Sequence, residues 1–137
     1  MALFKMKKIT IDKKLCAIIY EPKDLKINKG IKFLTPPSYN LQIGKMSHKK
    51  NHEIKPHLHK NFLRKIYKTT EILIIKSGEL RVNFYNKKLK YVKSTLLKKG
   101  NIALLMEGAH GFKVKKDCIF FEIKQGPFSI KKDKKLI

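Results

Sequence analysis

The stretch TTEILIIKSGELRVNFY, residues 69–85, carries the strongest secondary-structure signal in the chain. Its first part, Thr69–Lys76, is rich in β-branched residues, and Glu79–Tyr85 alternates polar with apolar side chains, as strands do. Ser77-Gly78 between them predicts a turn. The segment therefore predicts two neighbouring strands. One face of the first strand would present Glu71, Leu73 and Ile75.

Short strand-like segments recur on both sides of this stretch, and no convincing helix is visible. Further strands are predicted at Leu15–Tyr20, Ile31–Leu34, Tyr39–Met46, Leu89–Val92, Ser94–Leu97, Ile102–Met106, His110–Val114 and Cys118–Ile123. Residues 60–68 (KNFLRKIYK) are compatible with a loop, an extended strand or one short helical turn. Many short strands separated by turns indicate an all-β sandwich or barrel.

The chain has 137 residues, which suits a single domain with a core that needs no disulfide. We expect N-terminal strands in residues 1–40, a barrel core in residues 41–126 and a solvated, lysine-rich tail in residues 127–137. Cys16 and Cys118 fit no CxxC pattern and are expected to be reduced, buried thiols. Because we see neither a signal-peptide core nor a run of ~20 apolar residues, the expected location is the cytoplasm.

The net charge is +23, from 33 basic and 10 acidic residues. Such an excess suits phosphates, acidic sugars or a membrane surface. However, only Arg64 and Arg81 are arginines, the residue type that dominates bidentate recognition of phosphates and bases, and the lysines are scattered. We interpret the charge as a solvated surface, with steering of an anionic ligand as the alternative. No nucleic-acid or membrane partner is expected, since no platform of aromatic and basic residues is recognisable.

Three histidines and one glutamate have the types and spacings of a metal site. His57 and His59 flank a single leucine. Residues i and i+2 of a strand point to the same face with Cα atoms roughly 6.6 Å apart, so both imidazoles can reach one ion at about 2.0–2.1 Å. Glu71, from the strongest predicted strand, and His110, within the turn EGAHG, are the expected third and fourth ligands.

This pattern resembles the cupin superfamily, and in particular its small, single-domain, metal-binding bacterial members. The first cupin motif contains HxH, then a glutamate, six residues and a glycine, and the second begins with glycine and ends with Gly-x-x-His. The matching residues are His57, His59, Glu71 and Gly78 in the first motif, and Gly100, Gly108 and His110 in the second. The resemblance covers roughly residues 41–126 and implies a double-stranded β-helix, which is a jelly-roll barrel.

The chain departs from the cupin pattern in two places. Eleven residues separate His59 from Glu71, where three or four are usual, so a longer strand pair or an inserted loop is implied. In the second motif Glu107 replaces the common proline, and one residue is missing between Gly108 and His110. The alternative is a cupin without metal, whose four side chains form a polar pocket floor. Buried His and Glu are costly without a partner, which favours the ion.

A set of three imidazoles and one carboxylate suits Fe, Mn, Ni or Zn and leaves a six-coordinate ion with open positions. The expected function is therefore a metal-dependent enzyme that oxygenates or isomerises a small oxygenated metabolite. The alternative is a metal-containing module that binds a sugar or acidic small molecule without turnover, favoured by the lysine excess and the lack of a clear general base. Candidate substrate-binding residues, each with a solvent-facing role as its alternative, are Arg81, Asn83, Tyr85, Glu122 and Lys124.

A homodimer is also expected, because exposed sheet edges invite pairing with another chain. The N-terminal segment, Leu15 to Leu34, is not required by the barrel motif. We therefore expect it to supply the strands that meet the partner.

Overall fold

The computed structural model describes residues 6–27 and 29–137, and this part of the chain is an all-β protein with antiparallel sheets, as predicted. The strands are β1 (Lys7–Ile11), β2 (Lys14–Tyr20), β3 (Gly30–Phe33), β4 (Gly44–Ser47), β5 (Glu71–Tyr85), β6 (Tyr91–Lys98), β7 (Ile102–Leu105) and β8 (His110–Lys124). A 3₁₀ turn (Pro22–Leu25) and a one-turn helix α1 (Ile130–Asp133) complete the described elements. No helix in these ranges is long and apolar enough to cross a bilayer.

The chain divides into two compact units. The sheet unit comprises Met1–Leu25 and Lys68–Ile137, and the hairpin unit comprises Lys26–Tyr67. This division cuts across the expected segments 1–40 and 41–126. Strands β1 and β2 belong to the sheet unit, whereas β3 and β4 lie in the hairpin unit.

The sheet unit is built on one antiparallel sheet with strand order β1-β2-β7-β5-β6, and β8 also pairs with β5. Residues 71–74 of β5 pair with β7, residues 79–85 pair with β6, and both parts pair with β8. Strand β2 lies between β1 and β7, so neither of its edges is open to another chain. The expected dimer contact through residues 15–34 therefore cannot use the edges of β2.

The predicted turn at Ser77-Gly78 is wrong, because β5 runs through it as one 15-residue strand. Its partner β8 is likewise one 15-residue strand where two were predicted. The register between β5 and β8 shifts repeatedly between Ile75 and Leu80. Gly78 has φ +77°, and a Cβ there would lie 1.9 Å from the carbonyl oxygen of Asp117. Only a glycine fits where β5 passes this close to β8. The Ser77-Gly78 pair therefore marks a β-bulge and not a reversal of the chain.

The bulge also changes which face of β5 carries the core. Leu73 and Ile75 before it, and Leu80, Val82 and Phe84 after it, belong to the same buried cluster. The inward alternation therefore changes phase between residues 75 and 80, as an irregular ladder allows. The other cluster members are Ile9, Ile11, Cys16, Ala17, Ile19, Leu97, Ala103 and Leu105. Both cysteines are free, with Cys16 buried and Cys118 half-buried.

The hairpin unit contains the antiparallel pair β3 and β4. The predicted strand Tyr39–Met46 begins later, at Gly44, because the preceding residues form a turn. There the Gln42 side-chain amide donates to the carbonyl oxygens of Pro36 and Tyr39 over 2.9 and 2.8 Å. Residues 48–70 contain neither strand nor helix, and of the three alternatives for residues 60–68 the structure adopts the loop.

Candidate functional site

Glu71 and His110 form a buried polar pair. Glu71 is the first residue of β5 and is 6% exposed, and His110 is the first residue of β8. The His110 Nε2 atom lies 3.0 Å from Glu71 Oε2. Since an ionised carboxylate can only accept, Nε2 carries the proton and donates it, which leaves Nδ1 available for another partner.

The register of β5 and β8 explains why residues 39 positions apart in sequence meet. Glu71 is opposite Lys124, and His110 is opposite Phe84. Directly opposed residues of an antiparallel pair share a face. Both halves of β5 contribute side chains to the same core because the alternation changes phase at the bulge around Gly78. Glu71, at one end of the strand pair, and His110, at the other end, therefore lie on the core side of the sheet.

The surroundings of Glu71 favour its ionised form. The hydrogen bond from His110 holds the pKa of the Glu71 carboxyl below its ordinary value of 4.5, although burial acts in the opposite direction. The electrostatic interaction with His110 and the positive charges of Lys124 and Lys134 lower this pKa further. Glu71 is thus ionised at neutral pH.

A cleft of about 390 Å³ opens beside this pair. Four of the predicted site residues line it: Glu71, His110, Glu122 and Lys124. Lys124 Nζ lies 3.6 Å from Glu122 Oε1, and the Phe112 ring stacks on the His110 imidazole with a centroid separation of 5.4 Å. The remaining lining residues are Thr69, Gly108, Ala109, Gly111, Phe112 and Asp133–Ile137. The volume is that of a site for a small metabolite.

The other three candidate substrate-binding residues, Arg81, Asn83 and Tyr85, do not line this cleft. They alternate along β5 with the core residues of its second half, so they lie on the opposite face. Arg81 Nε and Asn83 Oδ1 are buried and have no hydrogen-bond partner among the described residues. The structure therefore brings only Glu122 and Lys124 of the five candidates to the Glu71–His110 pair.

His57 and His59, the predicted HxH ligands, belong to the hairpin unit and are both exposed. Their ring centroids are 5.1 Å apart. His57 Nδ1 lies 3.0 Å from the carbonyl oxygen of Lys55, which makes Nδ1 the donor and leaves Nε2 available. Within residues 6–27 and 29–137, no group of three or more His, Cys, Asp or Glu side chains is placed to hold a metal ion.

The Glu71–His110 pair brings together two of the donor types expected of a metal site. A carboxylate oxygen and an imidazole nitrogen are donors that Fe, Mn, Ni and Zn all accept.

Two parts of the site were not expected from the sequence. The tail, read as a solvated lysine run, lines the cleft through Asp133–Ile137. Its one-turn helix is closed by a hydrogen bond of 2.9 Å from the Asp133 amide to the Ser129 carbonyl, while the Asp133 carboxylate accepts from the Ser129 amide. A serine followed four residues later by an aspartate is the feature of the sequence that could have indicated this turn.

The second is Glu107, which lines a neighbouring cavity together with His110 and Asp133. Its Oε1 atom lies 2.9 Å from both Lys14 Nζ and Lys68 Nζ. It therefore ties the start of β2 and the residues before β5 to the loop that carries His110.

The chain matches no model of a known protein family, no curated protein and no solved structure. The chemistry of the cleft residues is therefore the basis for a functional assignment.

Proposed function

We propose that the protein is a metal-dependent enzyme of the cupin type, with a jelly-roll barrel, that oxygenates or isomerises a small oxygenated metabolite. The observation that carries this proposal is the 3.0 Å contact between His110 Nε2 and Glu71 Oε2 in the wall of a cleft. Two of the four predicted ligands, which lie at opposite ends of the β5–β8 strand pair, are in contact with each other. A buried carboxylate needs a partner, and carboxylates paired in a cleft are frequent at functional sites.

In this proposal Glu71 and His110 are two of the ligands of the ion, and the part of His57 and His59 stays a prediction from the sequence. A bound divalent ion supplies Lewis-acid polarisation of a substrate oxygen or, as iron, a binding position for dioxygen. Glu71 contributes the only negative charge of the four ligands and is already ionised, since the pKa of its carboxyl is depressed. The Phe112 ring, stacked on the His110 imidazole, covers one face of the imidazole.

Glu122 supplies what the sequence did not reveal, a candidate general base. Its carboxylate lines the same cleft as Glu71 and His110, and the ammonium of Lys124 lies 3.6 Å away. An isomerisation needs a group that removes and returns a proton, and a carboxylate beside the substrate can do this. The position of Glu122 favours turnover over simple binding.

A second candidate function is binding of an acidic or sugar ligand without turnover. The observation that favours it is the number of lysines in the cleft wall, Lys124, Lys134 and Lys135. Both functions use the same cleft and differ in whether Glu122 takes part in chemistry.

Anaerobic purification followed by elemental analysis and oxygen-uptake screening tests the proposal. We expect a stoichiometric divalent transition metal in the parent protein. If a substrate is turned over, Glu122→Gln should lower the rate by about 100-fold while metal content stays constant. Protein that never retains such a metal after supplementation would contradict the proposal. Retained metal with no effect of Glu122→Gln on the reaction would instead exclude Glu122 as the base.

A further inference from the structure

The acidic side chains that line the cleft already have partners. Glu71 accepts from His110, and the Asp133 carboxylate accepts from the Ser129 amide. Glu122 lies 3.6 Å from Lys124. Each of these carboxylates therefore already has a hydrogen-bond donor or an ammonium group beside it.

The lysines of the cleft are in the opposite situation. Within the described ranges, no carboxylate lies within 4.0 Å of the ammonium groups of Lys134 and Lys135. Lys124, whose side chain is only 20% exposed, has Glu122 at the outer limit of an ion pair and the Phe128 ring at 5.0 Å from its ammonium. The cleft wall thus has three side-chain carboxylates, each with a donor or an ammonium group near it, and three lysines, of which Lys134 and Lys135 have no carboxylate partner in the described part of the chain.

Two of these lysines, Lys124 and Lys134, lie near Glu71. Lys124 is directly opposite Glu71 in the strand pair, and the charge of Lys134 also acts on the Glu71 carboxyl. Lys134 follows α1, which the hydrogen bonds between Ser129 and Asp133 close. The position of Lys134 at the cleft is therefore built by a folded turn, not by a loose chain end.

We propose that Lys124 and Lys134 together bind the anionic group, a phosphate or a carboxylate, of the small molecule that occupies the cleft. The C-terminal segment 129–137 is then one wall of the binding site. This inference rests on the proposed function in taking the cleft as the ligand site, and it adds the chemical class of the ligand and a residue that recognises it. Lysine ammonium groups suit such ligands because they bind phosphate and carboxylate as point charges.

The size of the cleft and the charge of the chain agree with this ligand class. A volume of about 390 Å³ accommodates a molecule of the size of a sugar with one anionic substituent. The net charge of +23 raises the local concentration of small anions and speeds their encounter with the cleft.

The test is calorimetric titration of the parent protein at low ionic strength with three probes of similar size. Glucose 1-phosphate carries a phosphate, glucuronate carries a carboxylate, and glucose is neutral. We expect binding of one or both anions and no detectable heat with glucose; the stronger anion identifies the preferred group. A parent protein that binds neither anion at millimolar concentration, or binds glucose equally well, overturns the proposal.

The matched variants are Lys124→Gln with Lys134→Gln, and Lys131→Gln with Lys132→Gln. Both pairs remove two positive charges, but Lys131 and Lys132 do not line the cleft. The first pair should weaken anion binding by about tenfold or more, since each lysine contributes at least a surface ion pair, and the second by less than about twofold. Equal weakening by both pairs would show a nonspecific charge effect and overturn the proposal.

Metal content of the same samples separates this inference from the proposed function. A parent protein that binds the anion but never retains a divalent metal after supplementation would contradict the metal-dependent function and leave the lysine site intact. A parent protein that retains the metal in full but binds neither anion would contradict the lysine site and leave the metal-dependent function intact.

Discussion

His110 Nε2 lies 3.0 Å from Glu71 Oε2, and these two residues are the first residues of the two longest strands of the sheet unit. The contact joins the beginning of β5 to the beginning of β8, which pairs with β5 in the antiparallel sense. Residues at the starts of two antiparallel neighbours lie at opposite ends of the ladder. Their contact requires the strand pair to curve back on itself, and the register of the ladder is irregular between Ile75 and Leu80, around Gly78.

Replacing Glu71 with Gln should lower metal occupancy strongly and leave the fold intact. Gln keeps the shape of the side chain but removes its charge, so we expect affinity for a divalent ion to fall by about tenfold or more. Metal content and melting temperature, measured side by side, check this. Glu79→Gln is the control, because Glu79 belongs to the same strand but pairs with Lys116 and does not line the cleft.

His57→Ala and His59→Ala test the other half of the predicted ligand set in the same assay. Each should also reduce metal content, since each removes one imidazole. Variants of Glu71 and His57 that hold metal as the parent does would contradict the four-ligand site. Unfolding of every variant would show that these side chains are structural.

Gly78→Ala should destabilise the sheet unit by about 3 kcal/mol. The new methyl group would lie 1.9 Å from the carbonyl oxygen of Asp117, and φ at this position is +77°. Gly111→Ala is the matched control in β8, because the nearest atom to its Cβ would be Tyr85 Oη at 3.8 Å. Chemical denaturation of both variants measures the difference, and equal stabilities would contradict the bulge.

Glu107→Gln should reduce stability at neutral pH but not in acid. Hydrogen bonds from Lys14 and Lys68 hold the pKa of Glu107 below its ordinary value of 4.5. A carboxyl with a depressed folded-state pKa stabilises the fold above the ordinary value and loses that contribution as pH falls through the folded-state value. We expect a fall in melting temperature on the order of 2 °C at pH 7 that disappears near about pH 3, because exposed ion pairs are weak.

Salt and a second variant provide the controls for Glu107. The difference should shrink at high ionic strength, which screens exposed charges. Glu53→Gln, in the hairpin unit, should leave the melting temperature within about 1 °C of the parent at either pH. A difference for Glu107→Gln that persists in acid would mean that the side chain acts by packing instead of charge.

The homodimer stays a prediction, and sedimentation at micromolar concentration tests it. Among the described strands, β8 pairs only with β5, which leaves its other edge unpaired, and Ile119, Phe121 and Ile123 on one face of β8 are 62%, 58% and 47% exposed. We expect the mass of two chains of 16.0 kDa. Phe121→Gln should weaken a dimer that uses this edge and leave one that uses β1 unchanged. A monomer would contradict the prediction.

Residue alternation was sufficient to predict where most strands lie. LCAIIY predicted β2 and IALLM predicted β7 to within a residue or two, because a run of β-branched and apolar residues behaves similarly in most contexts. Strand β1 was missed, since KKITI lies in a basic stretch and its pairing with β2 is what makes it a strand. In the same way, Lys134 was expected to be an inert tail residue and is part of the cleft wall.

The sequence by itself determined the all-β class, the burial of the apolar alternation and the identity of Glu71 and His110 as candidate site residues. These follow from side-chain chemistry and from the twofold period of a strand, both of which are local. Only the tertiary structure decided that β5 and β8 are single bent strands, that Glu122, Lys124 and the C-terminal turn share a cleft with Glu71, and that Arg81 faces away. The continuity of β5 and the direction of Arg81 depend on the close crossing of Gly78 with Asp117, and the cleft depends on contacts between segments far apart in sequence; no local pattern encodes either.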